Sequence, residues 1–160
     1  MVIWFLGISG SGKTTLANEL KKYLDKKNIK NYLIDGDNVR QFFENDLGFT
    51  IEERIQNIKR ILFAVKVLED NEIIVIVANI FPFEFLRKFA RKKFKNYYEI
   101  FLRRSLKNIK NKEDVYAGKN VVGIDIEFEE PENPDLILDT DKLSIKDCII
   151  KIIKKIFNEK

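Results

Sequence analysis

The sequence predicts an α/β fold, a parallel sheet with helices on both faces. Three observations carry that reading. Apolar runs of strand length alternate with longer segments of helical periodicity, as strand–helix–strand crossovers do. One run, residues 73–78, is almost continuously β-branched, which suits a central strand covered on both sides. The first run, Val2 to Leu6, passes directly into Gly7-Ile8-Ser9-Gly10-Ser11-Gly12-Lys13-Thr14 and then into a helix. That stretch reads G-x-x-x-x-G-K-[ST] in the strand–turn–helix context its chemistry requires.

Each element follows from its local pattern. The first helix runs from Lys13 to about Lys27, with Leu16, Leu20, Tyr23 and Leu24 on one face and Asn28 as its stop. Residues 31–34 form a short second strand, which ends in Asp35-Gly36-Asp37-Asn38, a turn dense in carboxylates. Residues 39–45 look helical. Thr50 and Glu53 form a capping box for a long helix that carries Ile51, Ile55, Ile58, Leu62, Val65 and Leu68 to about Asn71. After the strand at 73–78, Asn79-Ile80-Phe81-Pro82 is a loop. A basic helix over 83–93, a strand over 97–102 and a short helix over 105–112 follow. Residues 113–134 show little periodicity and hold the breakers Gly118, Gly123, Pro131 and Pro134. Long irregular segments in small domains are usually functional. Residues 136–139 are the last strand. Ser144 and Asp147 cap a final helix with Ile145, Cys148, Ile149, Ile152, Ile153 and Ile156 toward the core. No repeat or internal boundary interrupts the pattern, so a single domain over residues 1–160 is expected.

Composition narrows the function classes. A net charge of +4 suits phosphorylated ligands and is too mild to imply nucleic acid. No run of apolar residues is long enough to span a membrane, and the chain starts on a core strand rather than a signal peptide; a cytoplasmic protein is expected. The single cysteine, Cys148, excludes an internal disulfide and reads as a core thiol. With no histidine in the chain, any proton acceptor must be a carboxylate, lysine or tyrosine.

The glycine-rich turn supplies phosphate-binding chemistry. Gly7, Ser9, Gly10, Ser11, Gly12, Lys13, Thr14 and Thr15 would wrap backbone N–H groups around a phosphate chain at a helix N-terminus. Lys13 can reach the β/γ-phosphates, and the Thr14 hydroxyl can bind Mg²⁺. In parallel sheets ligands sit at the carboxyl ends of the strands. Asp35 and Asp37, the 79–82 loop and the 113–134 segment all fall at those ends. One of the two aspartates could hold Mg²⁺ or its waters, and the other could accept a proton from an attacking hydroxyl. Arg40, Arg54 and Asn57 stand on adjacent elements.

A family resemblance then becomes specific. Asp35-Gly36-Asp37-Asn38-Val39-Arg40, Leu47-Gly48-Phe49-Thr50, and Glu53-Arg54 with Asn57 and Arg60 resemble adenylylsulfate kinases. So do Ile80-x-Pro82-Phe83, Arg87, Ala90-Arg91, Gly123-Ile124-Asp125, Glu130-Pro131-Glu132-Asn133-Pro134-Asp135 and Asp139-Thr140. The resemblance implies a P-loop kinase fold that phosphorylates the 3′-hydroxyl of adenosine 5′-phosphosulfate, with ATP and Mg²⁺ as cofactors. It implies Thr14 and Asp35 at the metal, Asp35 and Asp37 as the metal and base carboxylates, and Arg40, Arg54 and Asn57 on the acceptor's 5′ anhydride. Phe49 and Phe128 would sandwich the acceptor's base.

The departures lie toward the acceptor. Phe81 stands where the family usually has serine. Asn79 precedes Ile80 at a strand end facing the site, where its amide could read a base edge or an altered 5′ substituent. The family's basic lid is replaced by residues 111–119, with Lys119 as the cation it would bring to the phosphates. These changes favour another nucleotide acceptor, cytidine diphosphoramidate of capsule phosphoramidate synthesis, with adenylyl sulfate as the alternative. Readings of another class stay open. Asn111-Lys112-Glu113-Asp114 spells the N-K-x-D of guanine-reading P-loop switches, although the residues before it are polar, and a non-catalytic nucleotide-binding module is the third reading. The partner expected is a small-molecule nucleotide, not nucleic acid or a membrane. The oligomeric state is open, with a homodimer as one option.

Overall fold

The computed structural model describes residues 1–109 and 116–158. Its centre is a five-stranded sheet in the order β2-β3-β1-β4-β5, with every neighbouring pair parallel. The strands are β1 (Val2–Leu6), β2 (Asn31–Asp35), β3 (Ile74–Ala78), β4 (Tyr97–Arg103) and β5 (Leu136–Asp139). The helices are α1 (Lys13–Lys26), α2 (Gly36–Phe42), α3 (Ile51–Asp70), α4 (Glu84–Lys93) and α5 (Ile145–Phe157).

Side-chain alternation along β1 explains the layers. Val2, Trp4 and Leu6 enter one core with Ile58, Ile61, Leu62 and Val65 of α3 and Leu86 and Ala90 of α4. Ile3 and Phe5 enter the other with Leu16, Leu20 and Leu24 of α1 and Cys148, Ile152 and Ile156 of α5. A strand buried on both faces admits no polar residue, which is why the run is apolar throughout. Both expected caps form: Thr50 and Glu53 make a reciprocal capping box, and the Ser144 hydroxyl accepts from the Asp147 N–H. Cys148 is a buried core thiol, and burial pushes its pKa up. Among the described residues no helix is long and apolar enough to cross a membrane.

Two segments differ from the reading of the sequence. The Asp35-Gly36-Asp37 stretch is not a separate turn before a helix at 39. Asp35 closes β2 and its carboxylate accepts the Asp37 N–H at 2.9 Å, so the carboxylate-rich stretch becomes the first turn of α2. Of the short helix expected over 105–112, the described part, up to Ile109, is one 3₁₀ turn, Leu106–Asn108, after which Ile109 is extended. The Ser105 N–H is held by Asp141 Oδ2, and the Ile109 side chain packs against Gly10, which turns the chain toward the glycine-rich loop. Residues 110–112, and the N-K-x-D stretch at 111–114, lie outside the described residues.

The strand order makes a crevice. From β1 the chain crosses through α1 to the β2–β3 side, and from β3 it crosses through α4 to β4 on the other side of β1. Loops at the carboxyl end of β1 therefore diverge, and the glycine-rich turn sits where they do.

Candidate active site

The glycine-rich loop is held from several directions. Gly7 N–H donates to the Ile80 carbonyl at 3.3 Å, and the Thr140 hydroxyl donates to the Ser11 carbonyl at 3.1 Å. Gly10 has φ +77°, and a Cβ there would lie 2.5 Å from Ile109 Cγ2, so both conformation and space demand glycine. Lys13 lies inside the loop, its Nζ donating to the Gly7 and Ile8 carbonyls at 2.9 and 2.8 Å. Desolvation lowers its pKa to about 8, although Asp37 and Asp35 pull the other way. An ammonium so poorly solvated is poised to gain from an arriving phosphate.

The Thr14 hydroxyl donates to Asp35 Oδ2 at 2.8 Å. Asp35 thus has one oxygen on the α2 cap and the other on Thr14 at the start of α1. This is a pair of hard oxygen donors beside a phosphate cradle, the set that suits Mg²⁺ shared with phosphates and water. Among the described residues there is no cluster of three or more carboxylate, thiol or imidazole ligands. Asp37 stands two residues on. It is exposed, and its carboxylate has no hydrogen-bond or ion-pair partner among the described residues.

Both aspartates open onto a cavity of about 820 Å³. Its far side carries the arginines. Arg40 is 8 % exposed and donates to the Leu47 and Gly48 carbonyls, with its guanidinium 4.6 Å from the Phe49 ring centroid. Arg54 reaches the Phe49 carbonyl through Nε at 3.0 Å and the Asn120 carbonyl through Nη2 at 2.7 Å. Burial, and then the neighbouring Arg40, push the Arg54 pKa down to about 10. Burial also lowers that of Arg40. Among the described residues both guanidinium groups donate to carbonyls and lie over a ring rather than pairing directly with a carboxylate, which makes them an electropositive pair. Asn57 is buried beside them. Its Nδ2 reaches the Gly36 carbonyl at 3.5 Å, and its Oδ1 has no partner among the described residues.

Most of the residues singled out from the sequence line this one cavity: Ser9, Gly10 and Gly12 through Thr15 on one side, Arg40, Phe49, Arg54 and Asn57 on the other, with Asp35, Asp37, Asn79, Ile80 and Lys119 between. Gly7 and Ser11 are buried within the loop and do not line the cavity. Phe128 is a correction. Its ring stacks on Phe101, with centroids 5.7 Å apart, and borders a separate cleft with Ile8 and Gly123. Burial against Phe101 takes it away from Phe49, and Val121 and Val122 share the Phe49 cavity instead.

The two departures before α4 also have local causes. Phe81 is fully buried and stacks on Trp4 at 4.2 Å, so its ring is a core residue rather than a cavity wall. Its φ of +53° is unfavourable for a bulky side chain. Asn79 Oδ1 accepts the Phe81 N–H at 3.0 Å, and buried Arg87 donates to the Phe81 carbonyl at 2.7 Å, which together hold that turn. Asn79 Nδ2 packs against Gly36, where a Cβ would collide with it.

Reading the sequence missed Arg104, Tyr116, Val121 and Ile145. Arg104 lines the cavity near Gly10, and a second arginine at the carboxyl end of a strand was the available signal. The Tyr116 hydroxyl donates to the Ser9 carbonyl at 2.9 Å, a contact across 107 positions that no local pattern announces.

Comparison with known proteins decides the family. The profile of the adenylylsulphate kinases matches residues 1–139. The chain belongs to the adenylylsulphate kinase family. It is 40 % identical to an adenylyl-sulfate kinase of Prochlorococcus marinus over 98 % of this chain and 83 % of that protein. Its structure matches the Mycobacterium tuberculosis APS kinase CysC, solved with AMPPNP and APS, with a TM-score of 0.88 and 31 % identity, over 96 % of this chain and 95 % of that one. A hexameric APS kinase from Thiobacillus denitrificans matches with a TM-score of 0.77 and 29 % identity, over 98 % of this chain and 28 % of that one. The chain is therefore a P-loop kinase, an enzyme that transfers phosphate from ATP, with Mg²⁺, to a small-molecule nucleotide. The switch-GTPase and non-catalytic readings give way to that membership.

Proposed function

We propose that the protein phosphorylates the 3′-hydroxyl of adenylyl sulfate. The observation that carries this reading is the arginine pair: Arg40 and Arg54 border the same cavity as the glycine-rich loop and Asp37, so an anionic nucleotide and a phosphate donor would meet there. The names of the relatives support adenylyl sulfate as the acceptor. Cytidine diphosphoramidate is the competing acceptor. Its case rests on Asn79, Phe81 and the altered 111–119 segment, and it weakens because Phe81 serves the core and Asn79 Oδ1 serves the turn.

The roles divide as follows. Gly10, Gly12, Lys13, Thr14 and Thr15 hold the ATP phosphates, and Thr14 and Asp35 hold Mg²⁺, which when bound neutralises phosphate charge. Asp35 has both oxygens committed, so Asp37 is the base: it accepts the proton from the acceptor's 3′-hydroxyl. Arg40 and Arg54 bind the acceptor's 5′ anhydride, with the Asn57 Nδ2 donating to it as well. Phe49 stacks on the base, with Val121 as an aliphatic wall. Lys119 brings a second cation to the phosphates. We place the reaction in the cytoplasm, where ATP is abundant, and treat self-association, including a homodimer, as part of the proposal.

The test is a competition in MgATP between adenylyl sulfate and cytidine diphosphoramidate, read as relative kcat/KM. Preference for adenylyl sulfate supports the proposal. Preference for the cytidine compound replaces the acceptor and leaves the phosphoryl-transfer chemistry intact.

A further inference from the structure

Residues 116–120 run between the two halves of the cavity, and they are pinned at both ends. At the donor end the Tyr116 hydroxyl donates to the Ser9 carbonyl at 2.9 Å. At the acceptor end Arg54 Nη2 donates to the Asn120 carbonyl at 2.7 Å. Gly118 and Lys119 lie between the pins and line the cavity.

The pins matter because of what lies between them. A lysine ammonium on a four-carbon stem explores many rotamers, and its cost of ordering grows if its backbone moves as well. Gly118 adds backbone freedom just before Lys119. Fixing the backbone on both sides removes much of that cost before the side chain is engaged. The acceptor-end pin comes from a guanidinium with a second role, since Arg54 also faces the acceptor's anion. The donor-end pin is free of such competition. Tyr116 does not line the cavity, and its only hydrogen bond among those described goes to the loop. Burial raises the phenol pKa above its ordinary value, which keeps the hydroxyl protonated as a donor.

We propose that Tyr116 is a positioning residue for phosphoryl transfer, holding residues 116–120 on the Ser9 carbonyl so that the Lys119 ammonium is delivered to the phosphates. The inference rests on the proposed role of Lys119, and it adds a residue that acts only through that one. Tyr116→Phe removes one hydroxyl and keeps the ring. If Tyr116 works through Lys119, its loss should show only while Lys119 is present.

The experiment is a double-mutant cycle on the full chain with MgATP and whichever acceptor the wild type prefers, read as kcat, with both KM values and the melting temperature measured in parallel. Lys119→Gln should lower kcat roughly tenfold, on the scale of losing one charge-assisted contact. Tyr116→Phe should lower it by about three- to tenfold with the acceptor KM and the melting temperature little changed. The double variant should match Lys119→Gln alone. Losses that multiply would overturn the positioning role while leaving Lys119 in the site. A wild-type rate for Tyr116→Phe would overturn it as well. A wild-type rate for Lys119→Gln would remove the cation assignment, and the Tyr116 inference with it.

Discussion

The donor and acceptor halves of the cavity are built by different means. The donor half is a backbone loop held by one backbone bond and by side chains from remote segments. Gly7 bonds to Ile80, Thr140 bonds to the Ser11 carbonyl, Tyr116 bonds to the Ser9 carbonyl, and Ile109 fills the space beside Gly10. The acceptor half is side chain held by side chain and carbonyl: Arg40 and Arg54 lie over Phe49 and donate to the Leu47, Gly48, Phe49 and Asn120 carbonyls. The first kind of site is preorganised and spends little on reorganisation when charge develops. The second parks its cations on weak acceptors and must exchange them for the ligand's anion. Donor-side changes should therefore appear in kcat, and acceptor-side changes in the acceptor KM.

The largest effect should come from the residue between the halves. Asp37→Asn is nearly isosteric and leaves the Asp35 cap untouched, yet an amide accepts no proton, so kcat should fall by about 10²–10⁴-fold with little change in either KM. A variant at the wild-type rate would move the base elsewhere.

The next contrast pairs one cation from each half. Lys13→Ala should cost roughly a hundredfold or more in kcat, the scale of one preorganised electrostatic donor. Arg54→Ala should instead raise the acceptor KM by roughly ten- to a hundredfold, the range for a hydrogen bond to a charged group, with kcat less affected. Steady-state kinetics with each substrate varied would separate the two. If Arg54→Ala lowered kcat alone, the division between the halves would be wrong.

The smallest effect is a pH dependence confined to the donor half. Lys13 has a pKa of about 8 in the free protein, and bound phosphate must raise it. ATP binding should then take up a proton from about pH 8 upward and weaken as pH rises through that value, by at most about tenfold per unit. Calorimetric titration with MgATP in buffers of different ionisation enthalpy would count that proton. No uptake between about pH 8 and 9 would mean that Lys13 stays charged throughout.

How much of this could be read in advance follows the same division. The donor half is local: strand, glycine-rich turn and helix are contiguous, and residues 7–15 declare their chemistry by spacing. The layer structure was legible for a similar reason, since an unbroken apolar run such as β1 must be covered on both faces and the period along α3 decides which of its faces is buried. The acceptor half depends on directions that spacing does not encode. Phe81 turns inward because a positive φ and a distant Trp4 make that stack available, and Phe128 turns to Phe101 rather than to Phe49. Asp35 reads as a turn residue in the sequence, and only the fold shows its carboxylate capping α2. Tyr116 and Arg54 were illegible as pins because their partners are backbone carbonyls on remote loops.

The central claim is that the two halves serve one reaction. Its most direct test is ADP release from MgATP with and without adenylyl sulfate, with the transferred phosphate located on the product by phosphorus–proton correlation NMR. Negligible release without acceptor, rapid release with it, and phosphate on the 3′-oxygen are expected. ATP turnover at the same rate without any acceptor, or phosphate at another position, would contradict that claim.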